Sequence, residues 1–294
     1  MINRRDFLKL SAIGGGAVFL PGLVGRANAA AAAYDDFYFV QLSDSHWGYE
    51  GPANPEAAHT LEKAVATVNA LEKQPDFIMF TGDLTHTTDD PEERRQRLSA
   101  FKKIVSALKV KDVHFIPGEH DASLDKGAAF QEMFGKTHYT FDHKGVHFIT
   151  LDNVSDPGAS LGDEQLAWLA ADLAAQPKDA RIVVFTHRPL FDLVPKWDWA
   201  TRDGAKAIKL LLSHPNVTVF YGHIHQENHH YTEHIAHHSA KSLIFPLPAP
   251  GSQDKRTPLP WDPALPFKGL GFREVEAEAK PVAYQITEFP VVRA

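Results

Sequence analysis

Cysteine is absent from all 294 residues, which excludes disulfide bonds, thiolate metal sites and cysteine nucleophiles. The P-loop motif is absent as well, which excludes a nucleotide-binding site of the P-loop type. After residue 29 no apolar run is long enough to cross a bilayer, and we expect no stable membrane anchor. Any bound metal must therefore be held by oxygen and nitrogen ligands from His, Asp, Glu or Asn side chains.

Positive charge is scarce, with 30 Lys and Arg against 37 Asp and Glu and a net charge of -7. Removal of residues 1–29, which carry four basic residues and one acidic residue, would take the net charge from -7 to -10. Such an acidic protein has no general electrostatic reason to bind nucleic acid. By contrast, 17 histidines is a high count, and imidazole is both the commonest metal ligand and the usual general acid or base near neutral pH.

The amino terminus has the features of a targeting segment. Two arginines at positions 4 and 5 precede a glycine-containing apolar stretch at 10–24 and the small-residue cleavage site A-N-A at 27–29. This pattern resembles a twin-arginine signal, which the twin-arginine translocase reads during export. A retained membrane anchor is the less favoured alternative, because glycine and proline interrupt the stretch. We expect a cleaved signal at 1–29, one domain at 30–294 and a periplasmic or otherwise exported protein.

Short apolar runs rich in β-branched and aromatic residues recur along the rest of the chain and predict buried strands. Segments with helical spacing alternate with them, at 55–71, 91–108, 165–175 and 204–212. This alternation predicts an α/β fold with substantial parallel pairing. The strand-like runs cover residues 37–46, 76–83, 113–121, 145–152, 181–187 and 217–225.

Polar side chains follow five of these runs, at the point where each strand is expected to end. Ligands of α/β sheets bind outside the carboxyl ends of the strands, so these side chains should meet. In extended backbone, the side chains of residues two apart point to the same side of the strand. The two outer side chains of D-x-H at 44–46, and those of H-x-H at 223–225, can therefore bind one ion together. Oxygen and nitrogen donors without sulfur suit Mn, Fe, Co or Zn. The candidate residues are Asp44, His46, Asp83, Glu119, His120, Asp121, His187, His223 and His225.

The motifs D-x-H (44–46), G-D (82–83), G-x-H-D (118–121), T-H (186–187) and G-H-x-H (222–225) together resemble the calcineurin-like metallophosphoesterase superfamily. The resemblance implies a layered αββα sandwich of mixed sheets. It also implies a centre of two divalent or mixed-valence transition metal ions (Mn, Fe, Zn or Co) and a small phosphate mono- or diester as the substrate. The implied ligands are Asp44, His46, Asp83 and His225 for one ion, and Asp83, Glu119, His187 and His223 for the other.

Such a centre performs hydrolysis through attack of a bridging hydroxide, with two ions about 3.5–4 Å apart aligning it for in-line displacement. We predict that His120 donates a proton to the leaving group, and that Asp121 or Asp44 orients its imidazole. A purely supporting role for His120 is the alternative. The competing function is a non-catalytic periplasmic protein that binds a metal or a phosphate ligand, and retention of His120 disfavours it.

Glu119 departs from the family pattern, which commonly has Asn at this position. A glutamate supplies an oxygen ligand but adds a negative charge and lacks the N–H donors of an amide. We therefore expect a preference for harder or more highly charged metals and a less acidified water than at an Asn site.

A histidine-rich segment follows the last motif. Its composition is compatible with a metal-scavenging tract, but we favour a hairpin or loop with exposed histidines. The histidines are His229, His230, His234, His237 and His238.

Overall fold

The computed structural model describes residues 35–279 and 283–291. In the first sheet three strands pair in parallel and two from the carboxyl-terminal end join antiparallel, in the order β11-β10-β1-β2-β3. These strands are β1 (Phe37–Leu42), β2 (Phe77–Thr81), β3 (Val113–Ile116), β10 (Gly271–Glu278) and β11 (Ala283–Pro290). The predicted signal at 1–29 lies outside the described residues.

The second sheet has the order β4-β5-β6-β7-β9-β8. Its four central strands pair in parallel, and a hairpin at each edge adds an antiparallel pair. The strands are β4 (Tyr139–His143), β5 (Val146–Thr150), β6 (Arg181–Phe185), β7 (Asn216–Tyr221), β8 (Asn228–Thr232) and β9 (Ile235–Ser239).

The helices connect the strands and cover the outer faces of the sheets. Asp90 begins the second helix by accepting hydrogen bonds from the backbone amides of Glu92 and Glu93, which satisfies amides that lack partners within the helix. None of the helices between residues 35 and 291 that the structure describes has the length and apolar character needed to span a bilayer. The helices are α1 (Ala57–Asn69), α2 (Pro91–Val105), α3 (Glu119–Ala122), α4 (Ala128–Phe134), α5 (Gly162–Ala175), α6 (Gly204–Leu211) and a 3-10 turn (Pro195–Trp197).

Alternate residues of each central strand pack into different layers. In β1, Phe39 joins an apolar cluster between the sheets that includes Phe185 of β6. Its neighbour Val40 packs on the other side with residues of α1 and α2, and the outer face of the second sheet packs in the same way on α5 and α6. This period-two burial makes four layers and confirms the predicted αββα sandwich of mixed sheets.

Local differences from the prediction occur at strand ends. A hairpin turn lies at Lys144-Gly145, where both residues have positive φ (46° and 82°) and connect antiparallel β4 and β5. The run at 113–121 is strand only to Ile116, because Pro117 has no amide hydrogen and α3 begins at Glu119. Of the two carboxyl-terminal strands, β10 lies inside the first sheet and only β11 is at its edge.

Candidate metal centre

The candidate ligands lie beyond the carboxyl ends of strands from both sheets. Asp44 and His46 follow β1, Asp83 follows β2, and Glu119 begins α3 just after β3. From the second sheet, His187 follows β6, and His223 and His225 follow β7. The centre is therefore built where the carboxyl edges of the two sheets meet, as the predicted strand ends indicated.

The backbone at most of these ligands is in an unusual conformation. Non-glycine residues rarely adopt positive φ, and such strain persists only where the surroundings hold it, which is common at functional sites. The ligands in this conformation are Asp44 (54°), His46 (43°), Asp83 (49°), His223 (66°) and His225 (55°).

Two glycines of the motifs allow the ligand loops to approach each other. A Cβ atom at Gly118 would lie 2.1 Å from Oδ1 of Asp83, which no side chain would tolerate. Gly82 has a φ of 93°, and a Cβ there would lie 2.4 Å from Nδ1 of His187. Glycine is thus required on packing grounds next to the ligands.

The first set of ligand atoms comes from Asp44, His46 and His225, all within 4.8 Å of one another. The Nε2 atoms of His46 and His225 are 3.3 Å apart. Nε2 of His225 lies 3.4 Å from Oδ1 of Asp44, and Nε2 of His46 lies 3.4 Å from Oδ2 of Asp83. Asp83 thus lies at the border between this set and the next.

The second set comes from Asp83, Glu119, His187 and His223, again within 4.8 Å of one another. Nε2 of His187 is 3.3 Å from Oδ2 of Asp83 and 2.9 Å from Oε2 of Glu119. Nδ1 of His223 is 2.8 Å from Oε1 of Glu119. The structure thus brings all seven predicted ligands into two adjoining sets.

Oε2 of Glu119 and Nε2 of His187 face each other at 2.9 Å. Within the described part of the chain, neither of these atoms nor Nε2 of His223 makes a hydrogen bond of regular geometry. Buried polar atoms normally have partners. Nδ1 of His187 donates to the carbonyl of Thr81 at 2.7 Å. Burial would lower the pKa of His187, but the charges of Asp83 and Glu119 raise it well above its ordinary value, so a metal ion that binds Nε2 would displace a proton. The donor set therefore fits transition metal ions bound by nitrogen and oxygen.

The electrostatics of the sets favour ionised carboxylates. Burial would raise the pKa of Glu119, but the neighbouring His223 and His187 lower it well below its ordinary value. The pKa of Asp44 is also lowered, because His225 and His187 outweigh the effect of burial. Conversely, burial and the charges of His120 and His225 lower the pKa of His46 well below its ordinary value, which keeps a lone pair available.

His120 lies beside the first set on the short helix α3. Its backbone amide donates to Oδ1 of Asp83 at 2.9 Å, and its Nδ1 accepts a hydrogen bond from the amide of Thr87 at 3.2 Å. The neutral ring therefore carries its proton on Nε2. The ring centroid lies 4.6 Å from that of His46 and 4.8 Å from that of His86. This position is suitable for a proton donor.

Asp121 has a different environment from the one expected. Its carboxylate is buried and accepts hydrogen bonds from the amides of Leu84, Thr85 and Gly118 and from the hydroxyl of Thr85. Burial and the charge of Asp83 raise its pKa to about 6. The expectation that Asp121 or Asp44 orients the imidazole of His120 is corrected, because the amide of Thr87 makes that contact and Asp121 instead ties two loops together.

Two residues at the centre were not among the predicted site residues. His86 lies with Nδ1 3.3 Å from Nδ1 of His46, and only its position three residues after Asp83 pointed to it. Arg188 is buried with Nη1 3.9 Å from Oε1 of Glu119, and its place next to His187 was the available signal.

Other polar features of the sequence lie elsewhere. Residues 158–162 read G-A-S-L-G, but Ser160 lies in a loop between β5 and α5 and not on the sharp strand-to-helix turn of a nucleophile elbow. The histidine-rich segment is the predicted hairpin, formed by β8 and β9. Its histidines are not all exposed, since His237 is fully buried.

Comparison with known sequences gives one family. The family model described as calcineurin-like phosphoesterase matches residues 37–227. A protein named "Probable glycerophosphodiester phosphodiesterase GpdQ" from Arcobacter nitrofigilis is 30% identical over 161 residues, covering 51% of this chain and 56% of that protein. A Danio rerio protein named "Serine/threonine-protein phosphatase CPPED1" is 27% identical over 184 residues, covering 54% and 59%. The matches thus span less than two thirds of either relative.

Comparison with solved structures supports the same architecture. The structure of a dimetal phosphatase from Danio rerio superposes with a TM-score of 0.62 at 15% sequence identity. The alignment covers 87% of this chain and 96% of that one. At this identity the likeness shows a shared fold.

Proposed function

Because this chain belongs to the calcineurin-like phosphoesterase family, we propose that it is a hydrolase of phosphate mono- or diesters that depends on two transition metal ions. The matched residues contain both ligand sets, from Asp44 to His225. The observation that carries the proposal is the convergence of histidine nitrogens and carboxylate oxygens from both sheets, within 4.8 Å of one another in each ligand set, beside His120.

The mechanism assigns separate tasks to the residues of the centre. When bound, the ions would neutralise phosphate oxygens and lower the pKa of the water that attacks phosphorus. Asp83 would hold the two sets together, since its Oδ2 lies 3.4 Å from His46 and 3.3 Å from His187. As the new P–O bond forms and the ester P–O bond breaks, Nε2 of His120 would protonate the leaving oxygen.

The test is hydrolysis of nitrophenyl phosphate monoesters and diesters by the mature protein, reloaded separately with Mn, Fe, Co and Zn. Asp83→Ala is the negative control, because it removes the carboxylate that lies next to ligands of both sets. Metal-dependent turnover that is lost in Asp83→Ala would support the proposal that the protein is a hydrolase. It also identifies the preferred ester class and ion.

A second candidate is a non-catalytic protein that binds a metal or a phosphate ligand. The observation in its favour is the third carboxylate, Glu119, which adds negative charge where an anionic substrate must bind. Two bound metals per chain and no turnover with any ion or either ester class would favour this candidate over the hydrolase.

We also propose export by the twin-arginine translocase, on the sequence of residues 1–29 alone. Replacing both Arg4 and Arg5 with lysine should leave the full-length precursor in the cytoplasm, whereas the wild-type chain should appear in the periplasm in a shorter form. The net charge of -10 expected after cleavage argues against a nucleic-acid partner.

A further inference from the structure

Arg188 is a buried cation whose backbone is held by hydrogen bonds to neighbouring residues. It follows the ligand His187, and only 6% of the residue is exposed. Its backbone carbonyl accepts hydrogen bonds from Asn153 at 2.8 Å and from the hydroxyl of Thr186 at 2.9 Å. Its backbone amide donates to Oδ1 of Asn153 at 3.3 Å, so the backbone next to the ligand is held at both the amide and the carbonyl.

The guanidinium of Arg188 is only partly satisfied by its own loop. Nε donates to the carbonyl of Ala200 at 3.3 Å, and Nη2 donates to the carbonyls of Ala200 and Asp198. Nη1 makes no hydrogen bond within residues 35–279 and 283–291. It lies 3.9 Å from Oε1 of Glu119, too far for a hydrogen bond but close enough for a strong charge interaction. Two N–H donors thus remain available beside the second ligand set.

The charge of the centre explains why a cation is needed at this position. Asp44 and Asp83, which are buried, and Glu119, whose side chain is 26% exposed, bring three carboxylates together. A phosphate ester would add further negative charge. Buried charges are costly without a partner, and a guanidinium is well suited to binding phosphate oxygens by paired N–H donors. Because backbone carbonyls already orient the guanidinium of Arg188, its side chain loses little further conformational freedom when an anion binds.

We propose that Arg188 is a substrate-binding residue that offsets the charge of Glu119 and donates hydrogen bonds from Nη1 to a phosphate oxygen. This inference rests on the proposed function for the identity of the substrate. It does not depend on turnover, because binding of inorganic phosphate can be measured separately.

The experiment measures binding of inorganic phosphate to the metal-loaded protein by calorimetry, with the metal content of each variant determined in parallel. Arg188→Met removes the charge and the donors at similar volume, and we expect phosphate binding to weaken about 10- to 100-fold at an unchanged two metals per chain, the effect of losing a charge-assisted hydrogen bond. Arg202→Met is the matched control, because it removes an exposed arginine from the same loop. A phosphate affinity within about twofold of wild type in Arg188→Met would overturn the proposal.

Arg188→Lys decides the question if the methionine variant does not fold. Lysine keeps the charge but not the planar fork, so we expect phosphate binding about three- to tenfold weaker than wild type. Unchanged binding would overturn the assignment of Nη1 as a donor. A wild-type protein that binds phosphate through Arg188 but hydrolyses no ester would instead contradict the proposed function and leave this inference standing.

A double variant tests the link between Arg188 and Glu119. Glu119→Gln keeps an oxygen ligand and removes the charge that Arg188 offsets. In that background Arg188→Met should weaken phosphate binding less than it does in the wild type, because less negative charge is left unbalanced. Fully additive effects on the binding free energy would contradict the charge-offsetting role.

Discussion

Neighbouring residues in the short helix α3 have separate tasks despite similar chemistry. Glu119 faces the second ligand set, His120 packs beside the first, and Asp121 points away from both into the backbone of two loops. One helical turn directs successive side chains about 100° apart, so three adjacent polar residues reach three environments. This geometry leads to different predictions for His120 and Asp121.

His120→Ala should lower kcat without loss of the bound metals. For alkyl phosphate esters we expect a loss of roughly 10²- to 10⁴-fold, because their leaving oxygen needs a proton. Nitrophenyl esters should lose much less, since nitrophenolate leaves without protonation. The measurement is kcat for both ester types, with the exposed His59→Ala as control. An equal loss for both types would rule out proton donation.

Asp121→Asn should destabilise the fold. Oδ2 accepts from the amides of Leu84 and Gly118, and Oδ1 accepts from the amide and hydroxyl of Thr85, so an NH2 group in either orientation would face a backbone N–H. We expect the free energy of unfolding to fall by about 2–4 kcal/mol, the cost of leaving buried amide donors unpaired.

Chemical denaturation of Asp121→Asn and wild type at pH 7 measures this loss. Asp163→Asn provides the control, because the side chain of Asp163 is 93% exposed. If Asp121→Asn unfolded at the same denaturant concentration as the control, the proposed role of Asp121 in linking two loops by hydrogen bonds would be wrong.

At the scale of elements, the sequence predicted the features that depend on residues close together in the chain. The apolar runs predicted the buried strands, and the polar residues at their ends predicted the ligands, whereas the αββα sandwich was implied by the family resemblance. The packing of Phe39 and Val40 into different layers follows from the pleat of β1. The contacts of His86 with His46 and of Arg188 with Glu119 join segments far apart in the chain. No local pattern encodes them, and the partners of Asp121 were missed for the same reason.

The hairpin of β8 and β9 gives the fold a dependence on pH. His237 is fully buried, and neither ring nitrogen has a hydrogen-bond partner within the described residues. Burial, followed by the charge of His230, lowers its pKa from 6.5 to about 4. The unfolded chain therefore binds a proton more readily than the folded one between these values, and the stability contributed by His237 is complete above pH 6.5 and lost as the pH falls toward 4.

His237→Leu should make stability less sensitive to acid. Between pH 7.5 and pH 5 we expect the wild type to lose about 2 kcal/mol more of its free energy of unfolding than the variant, from the difference between the folded and unfolded pKa values. Denaturation at the two pH values measures this, with the exposed His229→Leu as control. Equal losses in wild type and His237→Leu would show that the ring is solvated.

At the scale of the whole molecule, the centre joins the two sheets. Asp44 and Asp83 follow strands of the first sheet, whereas His187 and His223 follow strands of the second. The chain has no cysteine, so no disulfide bond can link the sheets at this edge. Three carboxylates repel one another there, and bound cations would turn that repulsion into attraction.

Metal removal should therefore lower the thermal stability of the folded protein. Ligands that bind only the native state stabilise it by about 4 kcal/mol at a free concentration of 1,000 Kd, and for a domain of this size that shifts Tm by roughly 10 °C. Scanning calorimetry of the metal-loaded and the chelated protein tests this expectation. Asp83→Ala, which weakens both ligand sets and removes one of the repelling carboxylates, should respond to chelation much less. Identical melting with and without metal in the wild type would mean that the sheets are held by their apolar interface alone, and that the centre is not a stabilising link between them.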